Sequence, residues 1–179
     1  MKSLMIAVSA AALALPIAAT AQTAGAFSPV TVYGTVGYAG GSEQGIDLGA
    51  IQGRLGARFG NYVGVEGELS GGVKGDTVVV AGVPVDVKLR HQEAIYGVGF
   101  LPVSPKFDLF ARVGYGNTDI KASAAGVAQA GSERSWNYGA GGQYFLDNNN
   151  GFRADYTRES FQHGGGDADV WSIGYVRKF

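Results

Sequence analysis

Charged side chains recur at every second position along several segments, and their signs change from one segment to the next. Arg54 and Arg58 stand on one segment and Glu66 and Glu68 on the following one; Glu93, Arg112, Arg153, Asp155 and Glu159 continue the series. Gathered in an interior, such residues would form an interlocked salt-bridge and hydrogen-bond network, because a buried charge without a partner is prohibitive. The same set could line an ion path or a binding pocket. Catalysis needs a base, and His91 and His163 are the histidines on offer. His91 shares a face with Glu93 but has no serine paired to it. Ser160, His163 and Asp167 lie close in sequence, yet Gly164-Gly165-Gly166 offers nothing to position a triad. No nucleophile–base–orienter arrangement is visible. Two histidines this far apart make a poor metal site, and the absence of cysteine excludes thiolate zinc, iron–sulfur and disulfide frameworks. The glycine runs at 139–142 and 164–166 open no helix, so they are not phosphate loops. The sequence thus predicts no catalytic, cofactor-binding or metal-ligating residue.

An element that holds charges on one side is the β-strand, whose alternate side chains point to opposite faces. Period-two alternation recurs along the chain. From Gly49 to Phe59, Ile51, Leu55, Ala57 and Phe59 oppose Gln52, Arg54 and Arg58. Next, Val63, Val65 and Leu69 oppose Glu66 and Glu68, with Gly60-Asn61 between the runs as a tight hairpin needs. Val30, Val32, Val36 and Tyr38 share a face, and Ala94, Tyr96, Val98 and Phe100 oppose His91 and Glu93. Leu109, Val113 and Tyr115 oppose Asp108 and Arg112; Trp136, Tyr138, Tyr144 and Leu146 oppose Asn137 and Gln143. Phe152 and Tyr156 oppose Arg153, Asp155 and Glu159. Trp171, Ile173, Tyr175 and Phe179 oppose Ser172 and Lys178. These are eight strands.

Their connections alternate in length. Short ones fall at 60–62, 102–106 and 147–151, long ones at about 39–48, 71–87, 116–134 and 162–169. That is the pattern of an up-and-down transmembrane barrel. Aromatics stand where strands would cross the membrane boundaries. Phe59, Phe100, Phe107, Tyr144, Phe152 and Phe179 mark the short-turn ends; Tyr38, Tyr115, Trp136 and Trp171 mark the other ends. A soluble sandwich would also alternate. The two girdles and the mixed-sign inner faces favour the barrel, and side chains roughly fill an eight-stranded interior, so the charges read as a plug. The 71–87 segment is apolar and β-prone; it could extend a hairpin and offer an edge strand, although Pro84 would interrupt pairing there.

Composition agrees. A net charge of −1 over 179 residues excludes a polybasic nucleic-acid binder, and 46% hydrophobic residues argue against disorder despite 30 glycines. Met1-Lys2, the apolar run to Ala19 and the Ala19-Thr20-Ala21 site predict a signal peptide at residues 1–21 and a single barrel domain at 22–179.

On the hairpin formed by Arg54–Phe59 and Val63–Glu68, and on the terminus Trp171–Phe179, the chain resembles the small OmpA/OmpX-like barrels of Gram-negative outer membranes, the opacity or porin-family group in particular. The resemblance implies an eight-stranded transmembrane β-barrel in the cell outer membrane with both termini periplasmic. Trp171, Ile173 and Tyr175 ahead of Phe179 resemble the signal by which barrel-assembly machinery recognises its substrates. Implied partners are that machinery and periplasmic chaperones during biogenesis, then outer-membrane lipid and lipopolysaccharide, with no nucleic acid and no cofactor. A monomer is expected, since a closed barrel has no edge that demands a partner. With Phe179 last, no peptidoglycan-binding domain is expected. The function implied is structural, contributing to envelope integrity, with loops that mediate adhesion or surface interaction. The alternatives are a small porin-like channel and, behind it, a lipid A-modifying enzyme.

Overall fold

The computed structural model describes residues 29–179 except 44–45, 81–82, 125–126 and 163–165; the expected signal peptide and His163 lie outside the described residues. The strands are β1 (Val30–Glu43), β2 (Ile46–Phe59), β3 (Val63–Lys74), β4 (Asp76–Val80), β5 (Val83–Ser104), β6 (Phe107–Ala124), β7 (Val127–Phe145), β8 (Asn150–Phe161) and β9 (Asp167–Lys178). They form one antiparallel sheet in the order β3-β2-β1-β9-β8-β7-β6-β5-β4, and pairing of β3 with β5 closes it. Val63–Gly71 of β3 lies along His91–Gly99, and β4 lies along Val83–Val87 of the same strand. β3 and β4 are therefore one stave interrupted at Gly75, and the barrel has the eight staves expected.

Side chains alternate between lumen and exterior. Along β3 and β8 every second residue is buried. The exterior carries an apolar belt that includes Val36, Leu55, Val65, Leu69, Ile95, Val113 and Ile173. Such a belt is stable only against hydrocarbon. Rings flank it at both ends. Tyr38 packs on Trp171 at 5.7 Å and Tyr115 on Trp136 at 5.3 Å toward the long hairpins. Phe59, Tyr144, Phe152 and Phe179 are exposed toward the short turns.

The short turns follow their sequence. Gly60 takes φ 63°, the left-handed region that other residues avoid. In the turn after Phe145, the Asp147 carboxylate accepts the backbone N–H groups of Asn149 (2.8 Å) and Asn150 (2.7 Å).

Three of the four long connections differ from expectation. The ladders run on to Glu43↔Ile46, Val80↔Val83 and Ala124↔Val127, so most of 39–48, 71–87 and 116–134 is strand. Pro84 does not break its hairpin; it pairs with Val79 beyond the point where β6 joins β5 at Asp86. β5 is 22 residues long, while a membrane crossing takes about 9–11, so much of it stands clear of the belt. Outside hydrocarbon neither face must be apolar, and strands rich in Gly, Ser and Ala then pair without alternating.

β5 also reverses its expected faces. Gln92, Tyr96, Val98 and Phe100 point into the lumen, and His91, Glu93 and Ile95 point out. Phe100 therefore belongs to the interior, not to a girdle, and Glu93 does not join the inner charges. The reason is that both faces of β5 are apolar within the belt, where Ile95 and Leu101 alternate with Tyr96 and Phe100. Glu93 pairs with Leu69 and Asn117, one row beyond Ile95, Tyr115 and Trp136, at the long-hairpin edge of the belt.

Candidate functional site in the barrel lumen

The lumen is filled from the short-turn end upward. Tyr33, Tyr96, Val98, Phe100, Phe110, Phe145 and Val176 form its apolar base. The rings fit because glycines stand opposite: Tyr33 pairs with Gly56, Tyr96 with Gly114 and Phe110 with Gly141. A Cβ on Gly56 would come within 2.4 Å of the Tyr33 ring.

Above and around these rings lies the charge network. Arg54 Nε donates to Glu68 at 2.7 Å, the cross-strand partner of its own position. The same guanidinium bonds Asp155 Oδ1 at 2.6 Å and Oδ2 at 3.0 Å, and Ser172 Oγ at 3.1 Å. Arg112 reaches Glu68 at 2.7 Å, Asp155 at 3.1 Å and Thr157 Oγ1 at 2.6 Å. Arg153 spans the lumen to Glu66, which also accepts the Tyr33 hydroxyl at 2.7 Å. Arg58 binds Asp108 at 2.8 Å, and Gln143 donates to that same carboxylate at 2.9 Å. Three guanidiniums also lie on rings: Arg58 on Phe100 at 4.4 Å, Arg112 on Tyr96 at 4.3 Å and Arg153 on Phe110 at 3.9 Å. Each contact keeps a desolvated cation in favourable electrostatics, and the two-pronged Arg fork fixes its geometry.

Eight of the nine charges expected inside are buried there: Arg54, Arg58, Glu66, Glu68, Arg112, Arg153, Asp155 and Glu159. Glu93 is the exception. The expected facing of Arg54 and Arg58 with Glu66 and Glu68 holds for Arg54–Glu68 alone. Gly64 is the residue opposite Arg58, so Arg58 turns to Asp108, which sequence reasoning had placed on the inner face without counting it in the network. Tyr33 and Tyr96 are network members beyond the expected set: Tyr96 is expected on the outward face of β5, while Tyr33, opposite Val32 in the alternation, is uncharged and so gives no signal of an ionic partner. Glu159 accepts from Gln92 Nε2 at 2.6 Å, higher in the lumen.

The histidine sites come to little. His91 Nε2 is 3.2 Å from Asp119 Oδ2 on the exterior and is half exposed. Ser160 is opposite Asp167 across β8 and β9, and Asp167 is engaged by Arg158 at 2.9 Å. At the terminus, Trp171, Ile173, Tyr175 and Phe179 all face outward, and Phe179 N–H bonds the Val32 carbonyl at 2.9 Å across the β1–β9 seam.

A closed barrel with an apolar exterior and a charge-filled lumen defines an integral outer-membrane barrel. The model of the outer membrane protein beta-barrel domain matches residues 7–179, and the chain belongs to that family. No curated protein sequence matches it. Among solved structures, Ail, the attachment invasion locus protein of Yersinia pestis, is 22% identical with a TM-score of 0.62, covering 84% of this chain and 99% of Ail. The N-terminal barrel domain of OprF from Pseudomonas aeruginosa is 14% identical (TM-score 0.62, 86% of this chain and 100% of that one). OprG from the same organism is 13% identical (TM-score 0.61, 87% and 98%). At these identities the likeness shows the shared fold.

Proposed function

We propose that this chain is a non-conducting surface barrel: it anchors in the outer membrane, contributes to envelope integrity and presents its long hairpins outward for surface interaction. The observation that carries the reading is the lumen, where four arginines are each locked to a carboxylate on a non-neighbouring stave, over a layer of packed rings. A solute path would require those pairs to part, leaving buried charges uncompensated. Conduction and catalysis are therefore secondary to the exposed hairpins. In this orientation both termini and the short turns are periplasmic, and the outward row Trp171, Ile173, Tyr175 and Phe179 serves as the signal for barrel assembly.

The hairpins carry a feature suited to an anionic surface. Lys88 and Lys121 are exposed and directly opposite each other on β5 and β6. Like charges so placed repel, and an anion between them relieves the repulsion. Lipopolysaccharide phosphates and anionic glycans have that chemistry, and Ail has been crystallised with the heparin analogue sucrose octasulfate. Recording of single-channel current from the refolded chain in planar bilayers tests the reading. Inserted, silent protein is expected; discrete, reproducible steps altered by Glu68→Gln would make the lumen a conduit and reject it.

A further inference from the structure

Above the charge network the lumen opens into a cavity of about 200 Å³, walled by Leu48, Leu89, Ile120 and Phe161 around the Ser70 and Thr118 hydroxyls. The outer surface carries a site of another kind. A furrow of about 690 Å³ crosses β2, β3, β5 and β6 between two outward rows. One row is Leu55, Gly67, Ile95 and Tyr115; the next is Gly53, Leu69, Glu93 and Asn117. Glycine makes the furrow. A Cβ on Gly53 or Gly67 would meet nothing within 4 Å, while Leu55, Leu69 and Ile95 beside them are at least 64% exposed.

At its β6 end the furrow runs into a second hollow, of about 810 Å³, with which it shares Glu93 and Asn117. Ser132, Glu133, Arg134 and Gln162 complete that lining. Arg134 is opposite Asn117 on β7, and Asn117 accepts the Ser132 hydroxyl at 2.8 Å. Among the described residues, Arg134, Glu93 and Glu133 have no ion-pair partner. The joined hollow is apolar at one end and polar at the other, the layout of an amphiphile lying along the barrel wall. Its composition narrows the head. A bare phosphate would find Arg134 but also two carboxylates, so the head must bring donors as well. A single ammonium group has three donors at one point, too few for acceptors spread around a hollow of this size. A sugar ring carries donors on every side.

We infer that this face binds one phosphorylated glycolipid of the lipopolysaccharide class, with an acyl chain along Gly53 and Gly67, the sugar against Glu93 and Asn117, and a phosphate on Arg134. The assignment deepens the surface role proposed above and rests on its orientation, which puts the long hairpins on the leaflet that carries such lipids. Lys121 is two outward positions beyond Asn117 on β6, with Lys88 opposite it, so further negative charge on the sugar meets cations there. Hydrocarbon surrounds the belt in any case. The furrow therefore contributes packing and alignment, and the head decides which lipid stays.

Native mass spectrometry of the chain in an oxyethylene detergent, with lipid A, phosphatidylglycerol and phosphatidylethanolamine added at equal concentration, tests the site. The expected species is a barrel that retains one lipid A in preference to either phospholipid. Arg134→Gln should lower that retention about threefold, the scale of an exposed ion pair. Gly67→Leu should lower it as well, because the added side chain fills the furrow without meeting a neighbour. Gly99→Leu is the control: Gly99 also faces outward with nothing within 4 Å, but it lies outside the furrow, and retention should be unchanged. Equal retention of the three lipids, or equal losses in the two glycine variants, would mean an unselective lipid coat and overturn the site. Unchanged retention in both Arg134→Gln and Gly67→Leu would overturn it too. Orientation is read separately, by labelling Lys121→Cys on intact cells with a membrane-impermeant maleimide. Labelled cells without lipid A retention overturn the site alone; unlabelled cells overturn the orientation on which it rests.

Discussion

The lower and upper halves of one lumen are built on opposite terms. In the lower half Arg54, Arg112 and Arg153 have both charged and ring partners or hydroxyls within reach, and Glu66, Glu68 and Asp155 each take more than one donor. In the upper half aliphatic side chains surround two hydroxyls that bond to nothing. Thr35 Oγ1, Arg58 Nε, Gln143 Oε1 and Arg153 Nε in the lower half also have no hydrogen-bond partner, so what separates the halves is ion pairing: charges cross the lumen below, and aliphatic walls leave a cavity above. The contrast locates stability below and interaction above.

The sharpest way to break the contrast is at the pair with no solvent access. Arg153→Ala strands Glu66, whose side chain is 0% exposed, and should cost about 3–5 kcal/mol. Urea-induced unfolding in lipid vesicles, read by tryptophan fluorescence, measures it. A variant as stable as the parent would show that the network does not hold the barrel. Arg58 sits nearer the short turns, with its side chain 9% exposed, so Arg58→Ala should fall toward the lower limit, about 3 kcal/mol, for the lost Asp108 pair and Phe100 stacking.

In the upper half the sign changes. Thr118→Val removes a hydroxyl that lacks a partner and keeps the shape, so stability should be unchanged or higher by up to about 1 kcal/mol in the same assay. Destabilisation comparable to Arg58→Ala would mean that the hydroxyl is bonded after all and would erase the distinction between the halves.

The smallest effect lies outside the lumen. Hydrogen bonds from the Asn150 side chain and from the Asn149 and Asn150 backbone hold the Asp147 carboxyl below its ordinary range. A lowered folded value stabilises the turn above the unfolded pKa of about 3.9, and this contribution disappears as pH falls through the folded value. An NMR titration of the Asp147 carboxyl should show the depressed midpoint. Asp147→Asn should remove that part of the acid dependence and bring the stability at neutral pH down toward that of the parent with Asp147 protonated.

Much of the barrel was legible because hydrocarbon imposes a rule. Where a stave crosses the belt between an apolar exterior and a charged interior, as Arg54–Leu55 or Asp155–Tyr156 does, alternation gives its faces directly. β5 escaped because the lumen beside it is lined with rings, so Tyr96 and Phe100 carry the same signal inward that Ile95 and Leu101 carry outward. The hairpins above the belt escaped because that rule ends at the membrane surface. Of the network, Arg54–Glu68 could be read from adjacent staves, as could the inward placement of most charges. Arg153–Glu66 could not, since it crosses the lumen between residues 87 positions apart. The upper cavity was illegible for the same reason: its lining comes from β1, β2, β3, β5, β6, β8 and β9, and one or two small or aliphatic residues at the end of each look like ordinary loop composition.

The most direct test of a lumen sealed below and open above uses the chain's lack of cysteine. Single Leu89→Cys and Thr157→Cys variants, in nanodiscs, would be exposed to a small water-soluble methanethiosulfonate reagent and their labelling rates compared. Leu89 lines the cavity, and Thr157 is 1% exposed beneath the Arg112 guanidinium. The account predicts rapid labelling at position 89 and essentially none at 157 while the barrel stays folded. Comparable rates at the two positions would show a continuous water path and contradict it.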